Sequence, residues 1–347
     1  MMKLASTKIL GLDGIRAMSV AAVVWHHASQ GHGWRNGFLG VDVFFVLSGY
    51  LITSLLLNEM VRKGDVSLKN FYIRRSLRIF PLYFLVLGLL SAYFLFSKHS
   101  QQATRFFEEL PFHALYVSNW MHSNSMLGIT WSLSTEEQFY FVWPPLLVFL
   151  GKRWSLLALA AFLAINQLLN FGIFDAFLNE LNPGLRSLHI LEITFTPIIL
   201  GALLAICLSD RARALSLGAV LTPIATVVAC VCMVAIAAMP GDLAGLPRLA
   251  FQTSALAVLA GVVLHQRSGL VGVLEIAPLR FIGKISYGVY LLHIIGLDLA
   301  VRLTGALDGP VALWLRFALC SVLTVLMAWG SFHWFEARFT RLKANFA

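Results

Sequence analysis

The sequence predicts an all-α protein: a polytopic transmembrane helix bundle of about ten spans, in one domain over residues 1–347, with both termini cytoplasmic. Three observations carry that prediction. Hydrophobic residues make up 59% of the 347-residue chain and charged residues only 12%, half of the roughly 25% found in soluble domains, so too little polar surface remains to coat a water-soluble fold. The apolar residues gather into runs near the ~20 residues that a membrane-crossing helix needs, and the mean hydropathy is +0.78. The basic residues fall mostly on alternate connections between those runs. This pattern excludes a soluble enzyme, a disordered chain and a secreted disulfide scaffold.

The spans follow in chain order. Ile9–Ala28 contains Asp13 and Arg16 and has no short apolar core followed by a small-residue cleavage site, so it reads as a retained helix rather than a signal peptide. Leu39–Leu57 runs back inward, and the strongly basic Asn58–Ser76 segment joins it to Leu77–Phe96, which carries Pro81. The outer Ser97–Ile129 connection holds Glu108, Glu109, His113, Trp120 and His122. Connections longer than about 12–15 residues are usually functional, and this one is expected to fold over the mouth of the bundle. Thr135–Leu150 opens with Glu136 and Glu137, and Trp154–Phe171 follows it. Leu191–Leu208, Leu217–Met239 and Leu249–His265 are apolar runs with small residues suited to helix packing. Phe281–Val301 carries His293, and Val311–Phe335 is the last span. The four cysteines, Cys207, Cys230, Cys232 and Cys320, lie within spans; Cys230 and Cys232 point in different directions on a helix, which argues against a metal pair. No metal site is expected.

With the N-terminus inside, the inner segments hold about 18 Lys and Arg: Lys3, Lys8, the Arg62–Arg78 group, Lys152, Arg153, Arg211, Arg213, Arg267, Arg280, Lys284, Arg338, Arg341 and Lys343. The outer segments hold about six, namely Arg35, Lys98, Arg105, Arg186, Arg248 and Arg302. This asymmetry is the positive-inside signal. It accounts for most of the net charge of +9, and no nucleic-acid partner is needed to explain it.

Ionisable residues within apolar spans are costly unless paired or facing a polar cavity. Arg16 and His27 are eleven residues apart, about three helical turns, and share a face some ~16 Å apart along the axis. Asp13 lies one turn before Arg16 and is placed to pair with it. At ~1.5 Å per residue from Lys8, His27 falls in the outer third of the membrane, level with Asp42 and with Glu136 and Glu137; His293 falls nearer the middle. Titratable groups from three helices at one level, beneath a long outer connection, resemble a catalytic cavity; a buried ion pair with an interfacial histidine is the structural alternative. At the inner face Arg75 and Arg78 are one turn apart beside Arg74, Lys63, Lys69, Phe71 and Tyr72. Two planar donor forks suit the phosphates of an anionic cytoplasmic cosubstrate, and topology anchoring is the alternative.

Five segments in order, LDGIRAMSVAAVVWHH with its Arg-x10-His spacing, GFLGVDVFFVLSGYLI, FYIRRSLRIFPLY, TWSLSTEEQFYFVWP and ISYGVYLLH, resemble the acyltransferase 3 family of integral membrane acyltransferases over nearly the whole chain. The resemblance implies transfer of an acyl group, usually acetyl from acetyl-CoA, to a hydroxyl of a carbohydrate or other small acceptor. It places the essential histidine at His27 and its basic partner at Arg16, the paired arginines at Arg75 and Arg78, the acidic residue at Glu136 rather than Glu137, and the GVD aspartate at Asp42. Ser286, Tyr290 and His293, with Tyr287, are implied as cavity or coenzyme contacts. Some members carry a soluble hydrolase-like domain after the membrane part; here a separate periplasmic or glycan-assembly partner is expected to supply any second transfer step. The bacterial cytoplasmic (inner) membrane is the expected location.

The residues suit that chemistry. Attack of a hydroxyl on a thioester requires a base matched to neutral pH, which imidazole supplies. His27 is the expected general base, with Asp42 or Glu136 orienting it; Arg75 and Arg78 are expected on the coenzyme phosphates; and Arg16, Tyr290 or Ser286 are candidate oxyanion donors. Direct transfer and a covalent acyl-enzyme both remain open. The competing function class is a proton-coupled transporter using the same buried His, Asp, Glu and Arg groups, but such folds often carry internal repeats, and no matching halves are evident.

Overall fold

Backbone N–H and C=O groups in hydrocarbon must be satisfied within the protein, and the described residues of the chain, seen in a computed structural model, do this with helices. The structure describes residues 9–346 apart from 30–34, 97–100, 122, 124, 174–179, 181–194, 242, 244, 306 and 308, and no strand occurs among the described residues. In chain order the helices are α1 (Leu12–Ala28), α2 (Gly40–Lys63), α3 (Leu68–Phe96), α4 (Gln101–Ala114), α5 (Trp131–Asn170), α6 (Thr196–Leu208), α7 (Arg211–Val220) and α8 (Pro223–Ala237). They continue as α9 (Leu246–Leu264), α10 (Gly269–Leu274), α11 (Ala277–Lys284), α12 (Ser286–Thr304), α13 (Gly309–Gly330) and α14 (Ala337–Leu342), with a π-helical stretch, Ser331–Glu336, before α14.

Six helical segments among the described residues are long and apolar enough to cross a membrane: Asn36–Lys63, Leu68–Phe96, Gly128–Asn170, Leu246–Leu264, Ser286–Thr304 and Gly309–Phe346. The α7–α8 pair, bent by 69°, makes a seventh when counted as one span. Helices α1 and α6, with 17 and 13 residues, occupy predicted spans but are shorter. Lys3, Lys8, Lys98, Arg186 and the first residues of the predicted Leu191–Leu208 span lie outside the described residues.

Several predicted boundaries move for local reasons. Helix α3 begins at Leu68 rather than Leu77, so the basic Arg74–Arg78 run is helical, and Pro81 sits inside the helix. The predicted pair Thr135–Leu150 and Trp154–Phe171 forms the two limbs of α5, broken at Gly151, whose φ of 68° is one that glycine adopts freely. Leu217–Met239 divides where Leu221 leaves the helix and the Thr222 hydroxyl accepts from the Ala225 N–H, with Pro223 at the first position of α8. Phe281–Val301 divides into α11 and α12 at Ile285. The outer Ser97–Ile129 connection is not a plain loop: it contains α4, which buries Ala103, Phe106, Glu109 and His113 on one face.

The chain forms two units. The first comprises Met1–Asp65, Lys152–Leu163 and Thr196–Ala328. Within it α2 and α6 touch backbone to backbone: a Cβ on Gly49 would run into the Ile198 carbonyl oxygen, and one on Gly201 into that of Val46. Small residues at helix crossings permit this approach. Helix α1 packs against α2, α11 and α12, and the Gly11 N–H before its first turn donates to Glu275 Oε1 at 2.7 Å. Leu12, Leu47, Tyr50, Leu204, Leu259 and Val262 lie in the core of this unit.

The second unit comprises Val66–Gly151, Ala164–Phe195 and Trp329–Ala347. Here α3 receives α4 through Phe94 against Phe106, with ring centroids 4.7 Å apart, and Tyr83 stacks on Tyr116 at 4.4 Å. The C-terminal segment folds onto the start of α3, where Arg74 donates to the Phe346 carbonyl at 2.6 Å.

The α2–α6 crossing is directly testable. Gly201→Val is expected to cost about 1–3 kcal/mol or more by overpacking, seen as a fall of several degrees in apparent Tm in detergent or as loss of folded protein. Gly88→Ala, which meets nothing within 4 Å in mid-α3, is expected to leave Tm unchanged or slightly raised.

Candidate active site

In the first unit the histidine of the Arg-x10-His spacing lies in the last turn of α1. His27 Nδ1 lies 3.0 Å from the Val23 carbonyl one turn earlier and 3.2 Å from Nε2 of His293 on α12. The two rings have centroids 4.9 Å apart and are inclined at 54°. His293 is fully buried, and its own Nδ1 makes a short hydrogen bond to the Tyr290 carbonyl. Beside His27, Trp25 packs on Trp314 and Phe317 at 4.7 and 5.0 Å, which fixes this end of α1. Tyr290 lies 5.8 Å from the His293 ring and 6.2 Å from Phe44, and Ser286 is buried at the first position of α12. Toward the other end of α1, Arg16 pairs with Asp13 at 3.4 Å.

Asp42, expected as an orienting carboxylate for His27, is occupied elsewhere. Arg248 grips it in bidentate fashion at 3.0 Å on both oxygens, and Gln252 donates to the same carboxylate at 3.0 Å. The residue is 1% exposed, and this clamp joins α2 to α9. Residue counting along the helix could not say which way Asp42 faced. Arg248 and Gln252 were not singled out from the sequence, although their spacing of one turn at the mouth of an apolar helix was a signal that could have found them.

Glu136 belongs to the second unit, where its carboxylate meets Arg75 at 3.6 Å while Glu137 meets the same guanidinium at 3.3 Å. The guanidinium also lies 3.8 Å from the centre of the Tyr140 ring, a cation–π contact. Arg75 therefore spends its fork on two carboxylates and an aromatic face, rather than lying open beside Arg78 as its spacing had implied. Arg78 is exposed. The C-terminal segment brings Lys343 within electrostatic reach of Arg78 and Arg75, and Glu336 within reach of Arg78.

The outer connection contributes a buried polar network to this second unit. His113 Nδ1 bonds the Thr130 hydroxyl at 2.8 Å, and its Nε2 lies 3.5 Å from Glu109. Ser123 donates to Glu109, Ser118 joins Thr130 at 3.2 Å and Ser134 at 2.8 Å, and Tyr83 donates to the His113 carbonyl at 2.8 Å. Of the polar residues singled out in this segment, His122 lies outside the described residues. Among the described residues no group of three or more His, Cys, Asp or Glu is placed to hold a metal ion.

Six helical segments among the described residues that are long and apolar enough to cross a membrane, with a histidine pair joining two helices, fit an integral membrane protein. A family model described as an acyltransferase domain, Acyl_transf_3, matches residues 9–333, and the chain belongs to that family. It is 30% identical over 354 residues to YrhL of Bacillus subtilis (strain 168), provisionally named a peptidoglycan O-acetyltransferase, covering 94% of this chain and 54% of that protein. It is 39% identical over 153 residues to OatA of Listeria monocytogenes, named a peptidoglycan O-acetyltransferase, covering 40% of this chain and 24% of that protein. The chain thus spans about half the length of the first relative and about a quarter of the second falls within the match. No solved structure matches the chain.

The His113 network generates a pH dependence of stability. Burial pushes His113 below its usual value of 6.5, and Glu109 opposes this only in part. Between the lowered value and 6.5 the unfolded chain binds more protons than the folded one, so stability from this group is complete above pH 6.5 and lost as pH falls through the folded value. The slope is at most about 1.4 kcal/mol per pH unit. Melting in detergent between pH 7.5 and 4.5 is expected to show a steeper acid decline for the wild type than for His113→Gln; parallel curves would contradict it.

Proposed function

We propose that the protein is a membrane O-acyltransferase that transfers acetyl from acetyl-CoA to a hydroxyl of a cell-envelope carbohydrate of the peptidoglycan class. The observation that carries this reading is the position of His27, the histidine of the Arg-x10-His spacing, half-buried against the buried His293 within the span matched by the acyltransferase family. The names of the relatives support acetyl as the acyl group and a glycan as the acceptor. The excess of Lys and Arg on alternate connections supports cytoplasmic termini and residence in the bacterial cytoplasmic membrane. The short helices α1 and α6 are read as crossings alongside the longer ones.

His27 acts as general base toward the acceptor hydroxyl, the step for which imidazole is best matched near neutral pH. The tetrahedral oxyanion is stabilised by donors drawn from Arg16, Tyr290 and Ser286. Arg78, exposed and reinforced by Lys343, receives coenzyme phosphates through charge-assisted hydrogen bonds. Arg75 supports that surface while neutralising Glu136 and Glu137. Asp42 serves to anchor α2 to α9 through Arg248.

Membranes containing the protein, given labelled acetyl-CoA and a β-1,4-linked N-acetylglucosamine pentamer, are expected to form O-acetylated pentamer. His27→Ala is expected to lower the rate about 100-fold or more at unchanged protein abundance, and retained activity would remove His27 from the mechanism. The two arginines are expected to separate. Arg78→Ala raises KM for acetyl-CoA roughly tenfold, the effect of losing one charge-assisted bond. Arg75→Ala strands two carboxylates at a cost of about 3–5 kcal/mol and lowers the yield of folded protein; a well-folded Arg75→Ala protein with only a raised KM would return Arg75 to direct coenzyme binding.

A further inference from the structure

We propose that His293 is a positioning residue for His27: a neutral hydrogen-bond acceptor that holds the His27 ring in one tautomer and orientation and stabilises the imidazolium formed during acyl transfer. This rests on His27 being the general base, and it replaces the coenzyme contact that sequence resemblance implied for His293.

The hydrogen-bond partners fix the protons. A carbonyl oxygen only accepts, so His27 Nδ1, facing the Val23 carbonyl at 3.0 Å, carries a hydrogen. His293 Nδ1 faces the Tyr290 carbonyl and carries one for the same reason. The contact between His27 Nδ1 and His293 Nε2 at 3.2 Å needs one donor and one acceptor. Since His27 Nδ1 is the donor, His293 Nε2 is bare and His293 is a neutral ring. The His27 Nδ1–H is thus shared between an acceptor on its own helix and one on α12, and the exchangeable position of His27 is Nε2, across the ring from both.

The transfer balances without a proton passing to His293. The acceptor oxygen bonds to the thioester carbonyl carbon as its proton moves to His27 Nε2; the carbon–sulfur bond then breaks and the leaving sulfur takes that proton. While His27 is an imidazolium, its Nδ1–H bond to His293 becomes charge-assisted and shortens. This is the part a buried carboxylate plays beside the histidine of a hydrolase triad. An uncharged acceptor does it without placing a second ion in the apolar span. His293 is itself held by the Tyr290 carbonyl and is fully buried, and Cys320 on α13 donates to its carbonyl at 3.5 Å.

The test compares His293→Phe, which fills the volume without an acceptor, with His293→Gln, whose amide oxygen can accept from His27 Nδ1–H. In the acetyl-CoA and glycan-pentamer assay, His293→Phe is expected to lower kcat about 100-fold with KM for acetyl-CoA unchanged within about twofold, and His293→Gln to recover at least about a tenth of wild-type kcat. Full kcat in His293→Phe, or a raised KM with kcat intact, overturns the proposal and restores a coenzyme contact. A second measurement reads the wild type and needs no folded His293 variant: 15N spectra of histidine-labelled protein in nanodiscs, with His27 assigned by the signals lost in His27→Ala, should show Nδ1 protonated on both rings and Nε2 of His293 bare. A bare Nδ1 on either ring overturns the proposal even if the His293 variants do not fold. If the wild type transfers no acetyl, the acyltransferase reading itself fails, and the spectra still decide the histidine pair separately.

Discussion

A charge or hydrogen-bonding group placed in hydrocarbon has no water to fall back on, so each one in this chain has to be matched by another part of the protein. Among the described residues of the first unit, three such links stand out. Arg16 is matched by Asp13 within α1, Asp42 of α2 by Arg248 and Gln252 of α9, and His27 of α1 by His293 of α12. The second unit does it once more densely, with two carboxylates and an aromatic ring around Arg75. Apart from the Asp13–Arg16 pair, each of these links joins separate helices. Breaking one of the ion pairs leaves an uncompensated charge, which costs more than the intact pair contributes, so these pairs act as constraints on assembly more than as sources of stability.

Much of this was legible in the residue order. An all-helical membrane protein follows from the scarcity of charge, and the helix breaks at Gly151 and ahead of Pro223 are the punctuation that glycine and proline supply. His27, Asp42, Glu136 and Arg75 could be named as site candidates because ionisable residues in apolar runs demand an explanation. Their partners were another matter. Counting residues gives an expected depth but not rotation about the helix axis relative to a distant neighbour, so Asp42 was expected at the level of His27 while it turns to Arg248. The Arg75 clamp was hidden for the same reason, since sequence spacing paired it with Arg78 on its own helix while the carboxylates that take it come from α5. The histidine pair joins residues 266 positions apart, and no local pattern reports such a contact.

The outer connection shows a different limit. Its length and its polar residues marked it as more than a tether, yet α4 could not be separated from loop by hydropathy alone, because the buried face of that helix includes Glu109 and His113. Those two residues are paired with each other, and His113 also bonds the Thr130 hydroxyl ahead of α5 while Glu109 accepts from Ser123. A polar pair that satisfies itself can occupy a core position, and a pattern built on hydrophobic period misses it.

The contact between α2 and α6 has one more implication. Because Gly49 and Gly201 bring main chain against main chain, the closest point of that crossing has no side chain between the two helices, while Leu47, Tyr50 and Leu204 pack in the core of the same unit. At that point the spacing of the two axes is set by backbone atoms, so a side chain at either glycine would push the helices apart. Asp42 lies two turns before Gly49 on α2, so a shift of that crossing would move the carboxylate that Arg248 grips.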